Sequence, residues 1–269
     1  MGSNFFGCEF IFDEIPSRNY DLRILNFSSG NGTRNAGSEA EVIQKEILRR
    51  PVPYYYGRTT NKNLEFDLTI GSANPIPSED RGAIYRWLLS RMGYKTLKIV
   101  QPDMTTLNFN VIFTESENEY IGNLNYGMTL HAYCDSPWAY SNLQIKTLTY
   151  SGSALVNENF TIMNTSDDED YIFPTMTFTT SGIGTSFSIT NSSLSTLDTY
   201  VMTFNPLSAG ETMTVDCDRQ IFVSTTGLKR MSSFNKWFFR LAPGLNSINI
   251  SGGITSFTMF YKLARKIGG

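Results

Sequence analysis

Histidine is almost missing from this chain: it occurs once, at His131. A lone imidazole excludes every metal site built on several histidines. No serine or cysteine stands in a recognisable nucleophile elbow either, so the usual nucleophile–base pairing has no support. Cysteine is sparse, with Cys8, Cys134 and Cys217 far apart and no CxxC pair. An odd, scattered set predicts neither a disulfide framework nor a zinc knuckle, but free thiols in a protein made in a reducing cytosol. Charge is low at 17% of residues and nets to −3, so there is no basic stripe of the kind that displaces counterions from duplex nucleic acid. The compact basic groups, Arg49 with Arg50 and Lys262 with Arg265 and Lys266, read as surface decoration. No apolar run reaches the roughly 20 residues of a membrane span, and the start lacks the basic and apolar regions of a signal peptide. The expectation is a soluble chain made inside a cell.

What is present suits packed β structure. Hydrophobic residues make up 41% of the 269, enough to fill two cores of about 130 residues each. In the first half Leu64, Phe66, Leu68 and Ile70 alternate with polar neighbours, and so do Leu107, Phe109, Val111 and Phe113, the period-two signature of strands with one dry face. Residues 94–100 and 124–133 read as further strands. One helix is predicted over 78–92, capped by Ser78, with Glu79 and Asp80 at its positive end. Ile84, Trp87, Leu88 and Met92 form its apolar face, and Gly93 follows as a left-handed stop.

Between Phe27 and Pro53 the pattern breaks. Ser28, Ser29, Gly30, Asn31 and Gly32 cannot pack a core, and residues 39–50 are amphipathic but flanked by loop residues. Either this is a loose surface loop, or it is an ordered arm that buries Val42, Ile43, Ile47 and Leu48 on another subunit. Tyr54, Tyr55 and Tyr56 then open a strand with alternating faces. After Asp135, Ser136, Pro137 and Trp138 the chain turns rich in Ser, Thr and Asn. Phe187 with Ile189, Met213 with Val215, Ile248 with Ile250, and Phe257 with Met259 and Tyr261 alternate between turn signals, predicting an antiparallel β-sandwich.

The groups that could carry chemistry each have a plainer reading. His131 lies in an alternating stretch and is expected to be a strand histidine with a satisfied ring. The acidic run at Asp167, Asp168, Glu169 and Asp170 lacks the alternating spacing and central glycine of an EF-hand, so it reads as a solvated turn. Asp216 and Asp218 share one face of a predicted strand, a weak glycosidase-like pair. Trp138 and Trp237 read as core or interface anchors. No glycine pattern cradles a phosphate, and no residue set calls for a metal or other cofactor.

The order of motifs resembles one family. Trp87-Leu88-Leu89 runs into 94–99, a Pro-Asp turn, a strand, and then Tyr133 to Trp138 with Pro137 before the aromatic. Ile162-Met163-Asn164 precedes Phe173-Pro174-Thr175-Met176. Gly210-Glu211 precedes an apolar-x-Asp ending at Asp216, and Leu241-Ala242-Pro243-Gly244-Leu245-Asn246 makes a Pro-Gly-x-Asn turn before the closing strand at 257–261. This succession is similar to that of siphophage distal tail (Dit) proteins. The resemblance implies a mainly β chain with an N-terminal β-sheet domain over 1–140, bearing one α-helix and an extended arm at 35–53. A galectin-like antiparallel β-sandwich would follow over 141–269.

It also implies a non-enzymatic structural role in the virion tail. Copies would close into a homohexameric ring joining the tail tube protein to the tail-associated hub and the receptor-binding or tail fibre proteins, with a channel through which DNA passes without specific binding. The rival readings are a carbohydrate-binding sandwich that contacts the host wall and another tail or baseplate subunit.

Overall fold

The computed structural model describes residues 8–25, 41–59, 63–102, 104–151, 155–182, 186–194 and 201–267. The glycine-rich stretch at 28–32, the arm's first residues at 35–40, and Asp103 of the Pro-Asp turn lie outside them. Two compact units emerge, Met1–Tyr140 with Arg265–Gly269, and Ser141–Ala264.

In the first unit the strands are β1 (Glu9–Phe12), β2 (Ile15–Pro16), β3 (Arg23–Ile24), β4 (Glu41–Lys45), β5 (Tyr54–Thr59), β6 (Glu65–Gly71), β7 (Lys95–Val100), β8 (Leu107–Ile121), β9 (Leu124–Cys134) and β10 (Ala139–Ser141), with helix α1 (Ser78–Leu88) between β6 and β7. The main sheet runs β2-β1-β7-β8-β9-β6-β3, and the pairings along it are antiparallel. Alternation decides its faces. Leu68, Ile70, Leu97, Ile99, Phe109, Val111, Met128 and Leu130 are buried on one side, while Glu65, Asp67, Thr129 and His131 occupy the other registers.

Helix α1 closes the dry side. Its Trp87 is buried, stacks on Phe10 and Tyr20 at centroid distances of 5.7 and 5.1 Å, and donates from Nε1 to the Phe12 carbonyl at 2.9 Å. The helix is shorter than its periodicity suggests. It ends at Leu88 and is capped by Leu89, so Met92 falls beyond the apolar face and is 95% exposed. Gly93 has φ +77°, but it serves the turn into β7. Pro77, not Ser78, holds the cap position, and no side chain bonds the free N–H groups there. Strands β1 to β3 were not anticipated, although Phe10, Phe12 and Ile24 are core residues.

The second unit contains β11 (Gln144–Thr149), β12 (Val156–Asn164), β13 (Thr175–Thr180), β14 (Phe187–Asn191), β15 (Met202–Phe204), β16 (Thr212–Asp216), β17 (Ile221–Ser224), β18 (Gly244–Gly252) and β19 (Ile254–Tyr261). The last strand, β20 (Ala264–Arg265), pairs with β10 in the first sheet. Two antiparallel sheets, β11-β19-β13-β16-β17 and β12-β18-β14-β15, face one another. Phe178 on β13 stacks on Phe187 on β14 at 3.8 Å, and Phe204 and Phe257 extend the aromatic layer. Each such ring withdrawn from water contributes about 1.5–3 kcal/mol. All the alternating residues read from this half line the sandwich core, Tyr261 being only partly buried.

Candidate functional site: an exposed apolar hairpin

The β4 and β5 strands form a two-stranded sheet of their own. They pair antiparallel from Glu41↔Thr59 to Lys45↔Tyr54, with a bulge between Ile43 and Gln44. Gly57 at φ +124° sits opposite Ile43. The Arg50 guanidinium lies 3.9 Å above the Tyr54 ring, and the Arg50 N–H donates to the Ile47 carbonyl at 3.0 Å, closing the connecting loop.

Val42, Ile43, Ile47, Leu48, Val52, Tyr54, Tyr55 and Tyr56 are all exposed, Leu48 to 90%. A two-stranded ribbon is marginal in water even with one face covered, and this one shows large apolar side chains on both. Strand β5 begins at Tyr54, where the tyrosines are expected to open one, and all three rings are exposed. Soluble surfaces rarely keep so many large apolar groups together unless a partner covers them.

The residues carried by the motifs have structural work. Glu211 is buried, and its carboxylate accepts from Arg230 Nη2 at 2.5 Å and Nε at 2.8 Å, from the Ser208 N–H at 2.7 Å, and from the Ser224 hydroxyl. Burial pushes its pKa up, but the bonds from Arg230, Ser224 and Ser208 outweigh this and hold it at about 2. Gly210 at φ +70° makes the turn that lets the side chain reach back. Asn246, fully buried, plugs the Pro243 turn: Oδ1 accepts from the Ala242 N–H at 2.7 Å, and Nδ2 donates to the Ala242 and Gly244 carbonyls at 2.8 and 2.9 Å. Gly244 at φ +83° allows that tight return. Asn191 reinforces it, donating to Asn246 Oδ1 at 2.6 Å. In the exit after β9, the Ser136 hydroxyl brackets Pro137, accepting from the Trp138 N–H and donating to the Trp138 carbonyl; Trp138 itself is half-buried.

The groups weighed for catalysis come apart. Strand β16 ends at Asp216, whose Oδ1 accepts from the Asp218 and Arg219 N–H groups at 3.1 and 3.0 Å. Asp218 therefore lies in the turn, not beside Asp216 on a strand face. His131 sits between Asp67 on β6 and Glu115 on β8, its Nδ1 2.8 Å from Asp67. The hydrogen bond to Asp67 raises its pKa, against a smaller lowering by burial. The acidic run at 167–170 makes local turn bonds, including Asp168 to the Asp170 N–H. Among the described residues no group of three or more His, Cys, Asp or Glu could hold a metal ion, and no helix is long and apolar enough to cross a membrane.

Residues 6–136 match a family described as the phage tail protein N-terminal domain, and residues 138–261 one described as the phage tail C-terminal domain. Among curated protein sequences nothing matches. Among solved structures the chain is similar to the SPP1 Dit protein, described as a paradigm of the hub adsorption apparatus in phages infecting Gram-positive hosts. That likeness has 14% identity, a TM-score of 0.66, and covers 95% of this chain and 99% of the other. A chain of the phage P2 baseplate in its activated conformation with Ca is similar at 9% identity and a TM-score of 0.58, with 97% and 99% covered. At such identities the likeness establishes the fold.

Proposed function

Because the chain belongs, over both its units, to a family of phage tail structural proteins and has the Dit fold, we propose that it is the distal tail protein of a long-tailed phage. Copies close into a hexameric ring that joins the tail tube to the tail tip and its receptor-binding proteins, and leaves a channel for DNA. The β4–β5 hairpin is the clasp. Identical subunits that present two different complementary surfaces close into a ring when the rotation between them allows it. Val42, Ile43, Ile47 and Leu48 would seat on the neighbouring subunit, joined by Val52 and Tyr54 to Tyr56.

The observation that carries this reading is the exposure of all eight side chains. Burying the first four contributes about 6–12 kcal/mol gross per contact at 1.5–3 kcal/mol each, enough to offset much of the lost rigid-body freedom. The arm expected at 35–53 is thereby extended to include β5.

Replacing residues 41–59 by a short Gly-Ser link removes both strands together. Light scattering and negative-stain micrographs of the purified protein are then expected to show folded monomers where the full chain gives six-fold annuli. An intact annulus without the hairpin would overturn the clasp, and a full-length chain that stays single would overturn the ring.

A further inference from the structure

A second surface, on the sandwich unit, is an open sheet edge. Each of the two facing sheets has two outer strands. The unpaired backbone groups of such a strand invite a further strand unless charge or cover blocks them. Three of the four edges are blocked. β11 carries Lys146 and β12 carries Glu158. Residues 233–235 lie along β15: the Asn205 N–H donates to the Ser233 carbonyl at 2.7 Å, and the Asn235 N–H to the Thr203 carbonyl at 3.1 Å. β17 has neither device. It reads Ile221-Phe222-Val223-Ser224, without charge, proline or bulge, and among the described residues only β16 pairs with it.

The register fixes which backbone groups face outward. The Thr225 N–H donates to the Thr212 carbonyl at 3.0 Å, and the pairs Thr214↔Val223 and Asp216↔Ile221 follow at intervals of two. Residues between such hydrogen-bonded pairs turn their N–H and C=O to the other side. Phe222 is one of these, so both its backbone groups look into the open edge.

Beside the edge the returning chain leaves a groove of about 420 Å³. Ile221, Val223, Leu228 and Met231 line it, each 52–66% exposed. Its charged groups are Lys229 and Arg230, and no carboxylate lines it among the described residues. Arg230 is committed to Glu211, so the exposed Lys229 sets the sign of the groove.

Strand addition draws affinity from main-chain hydrogen bonds and specificity from sites for alternate side chains. Ile221 and Val223, two residues apart on one face, match the period of an incoming strand. Lys229 selects a carboxylate. We propose that the β17 edge accepts an extended segment of another protein, with β-branched or aromatic residues at alternate positions and an Asp or Glu beside them. The sandwich unit thereby holds a partner through residues that ring closure by the hairpin does not use. A second β17 is the poorer occupant, since its groove brings the same positive charge.

A displayed library of random eight-residue peptides, panned on the full chain and counter-selected on Val223→Lys, tests this. Val223 is exposed, so that variant should melt like the parent; Ile221→Lys serves as a second edge variant. Enriched sequences are expected to alternate apolar residues and to carry Asp or Glu. A synthetic peptide of the enriched sequence should bind either edge variant at least about tenfold more weakly, and Lys229→Glu about tenfold more weakly. Exchanging its acidic residue for lysine should restore binding to Lys229→Glu. In amide exchange the Phe222 N–H should gain protection when the peptide is bound. The hairpin-deleted chain should bind the peptide as the full chain does, so a failed ring and a failed edge are distinguishable. A library that yields no sequence preferring the parent to both edge variants would overturn the proposal. Binding that leaves Phe222 exchange unchanged would overturn it too. So would self-association of the hairpin-deleted chain that Val223→Lys abolishes, because the occupant would then be a second copy.

Discussion

Arg230 reaches 19 residues back along the chain to place two nitrogens on the Glu211 carboxylate, at 2.5 and 2.8 Å. Glu211 has no exposed side-chain surface, and Arg230 keeps only 13%. An ion pair taken out of water gains little over an apolar pair, but breaking one half strands the other. Glu211→Gln and Arg230→Met are therefore each expected to cost about 3–5 kcal/mol. Urea melts of the two single variants and the double variant check this. The double variant should lose less than the sum of the singles, since it leaves no stranded charge.

Acid should act through the same carboxyl. Glu211 ionises at about 2 in the fold, against an ordinary 4.5. Between those values the unfolded chain binds the proton and the folded chain does not, so stability is complete above about 4.5 and drains as pH falls towards 2. The amount is on the order of 3 kcal/mol. His131, with its raised pKa, works in the other sense: its contribution is full at acid pH and is lost as pH rises through its raised value, so it does not mask the loss. Unfolding free energy measured across this range should slope in the parent and flatten in Glu211→Gln.

The Glu211 pair also marks how far the sequence could be read. Gly210 and Glu211 stood out as a motif, but nothing local points to Arg230, because the partner is chosen by the return of the chain after β17. The sandwich strands were legible since Met213 with Val215 and Ile248 with Ile250 each face a core of their own unit, and alternation reports that burial. Phe10 and Phe12 alternate too, but in a strand of four residues, too short to separate from a loop. The arm's apolar residues, Val42, Ile43, Ile47 and Leu48, were legible, but their strand pairing with residues 54–59 was not. Val42 and Ile43 are adjacent and both exposed, so no period of two marks β4. Met92 was assigned to the helix face by spacing alone, which cannot see that the backbone has already left the helix at Leu89.

Thiol chemistry should separate the three cysteines. Cys134 and Cys217 are buried, and burial pushes each thiol up to about 12, leaving almost no thiolate at neutral pH. Cys8 is half-buried. A chromogenic disulfide reagent is expected to modify at most one thiol in the native protein, at Cys8, and three after unfolding. Fast reaction at Cys134 or Cys217 under native conditions would contradict their packing.

Trp87 tests the helix contact that closes the first unit. Its ring is sandwiched between Phe10 and Tyr20, and its indole N–H satisfies the buried Phe12 carbonyl. Trp87→Phe keeps most of the apolar contact but removes that hydrogen bond, a loss of about 0.5–1.5 kcal/mol. Trp87→Ala also opens a cavity and should cost about 3–5 kcal/mol. Both are read as shifts in the urea midpoint with the slope unchanged.

The hairpin side chains should separate assembly from stability. Leu48 at 90% exposure and Tyr55 at 66% make no buried contact within their own unit, so Leu48→Asp and Tyr55→Ser should leave the melting temperature of the monomer nearly unchanged, as surface substitutions do within about 0.5 kcal/mol. On another subunit the same two positions would be desolvated, and a charge introduced at Leu48 would then be buried without a partner, at a cost of several kcal/mol for each contact in a closed ring. Sedimentation at a series of protein concentrations distinguishes the two effects: a shift to monomer without any change in the melt places these side chains in the interface. An unchanged distribution of species would leave them as ordinary surface and send the search for the clasp to another part of the first unit.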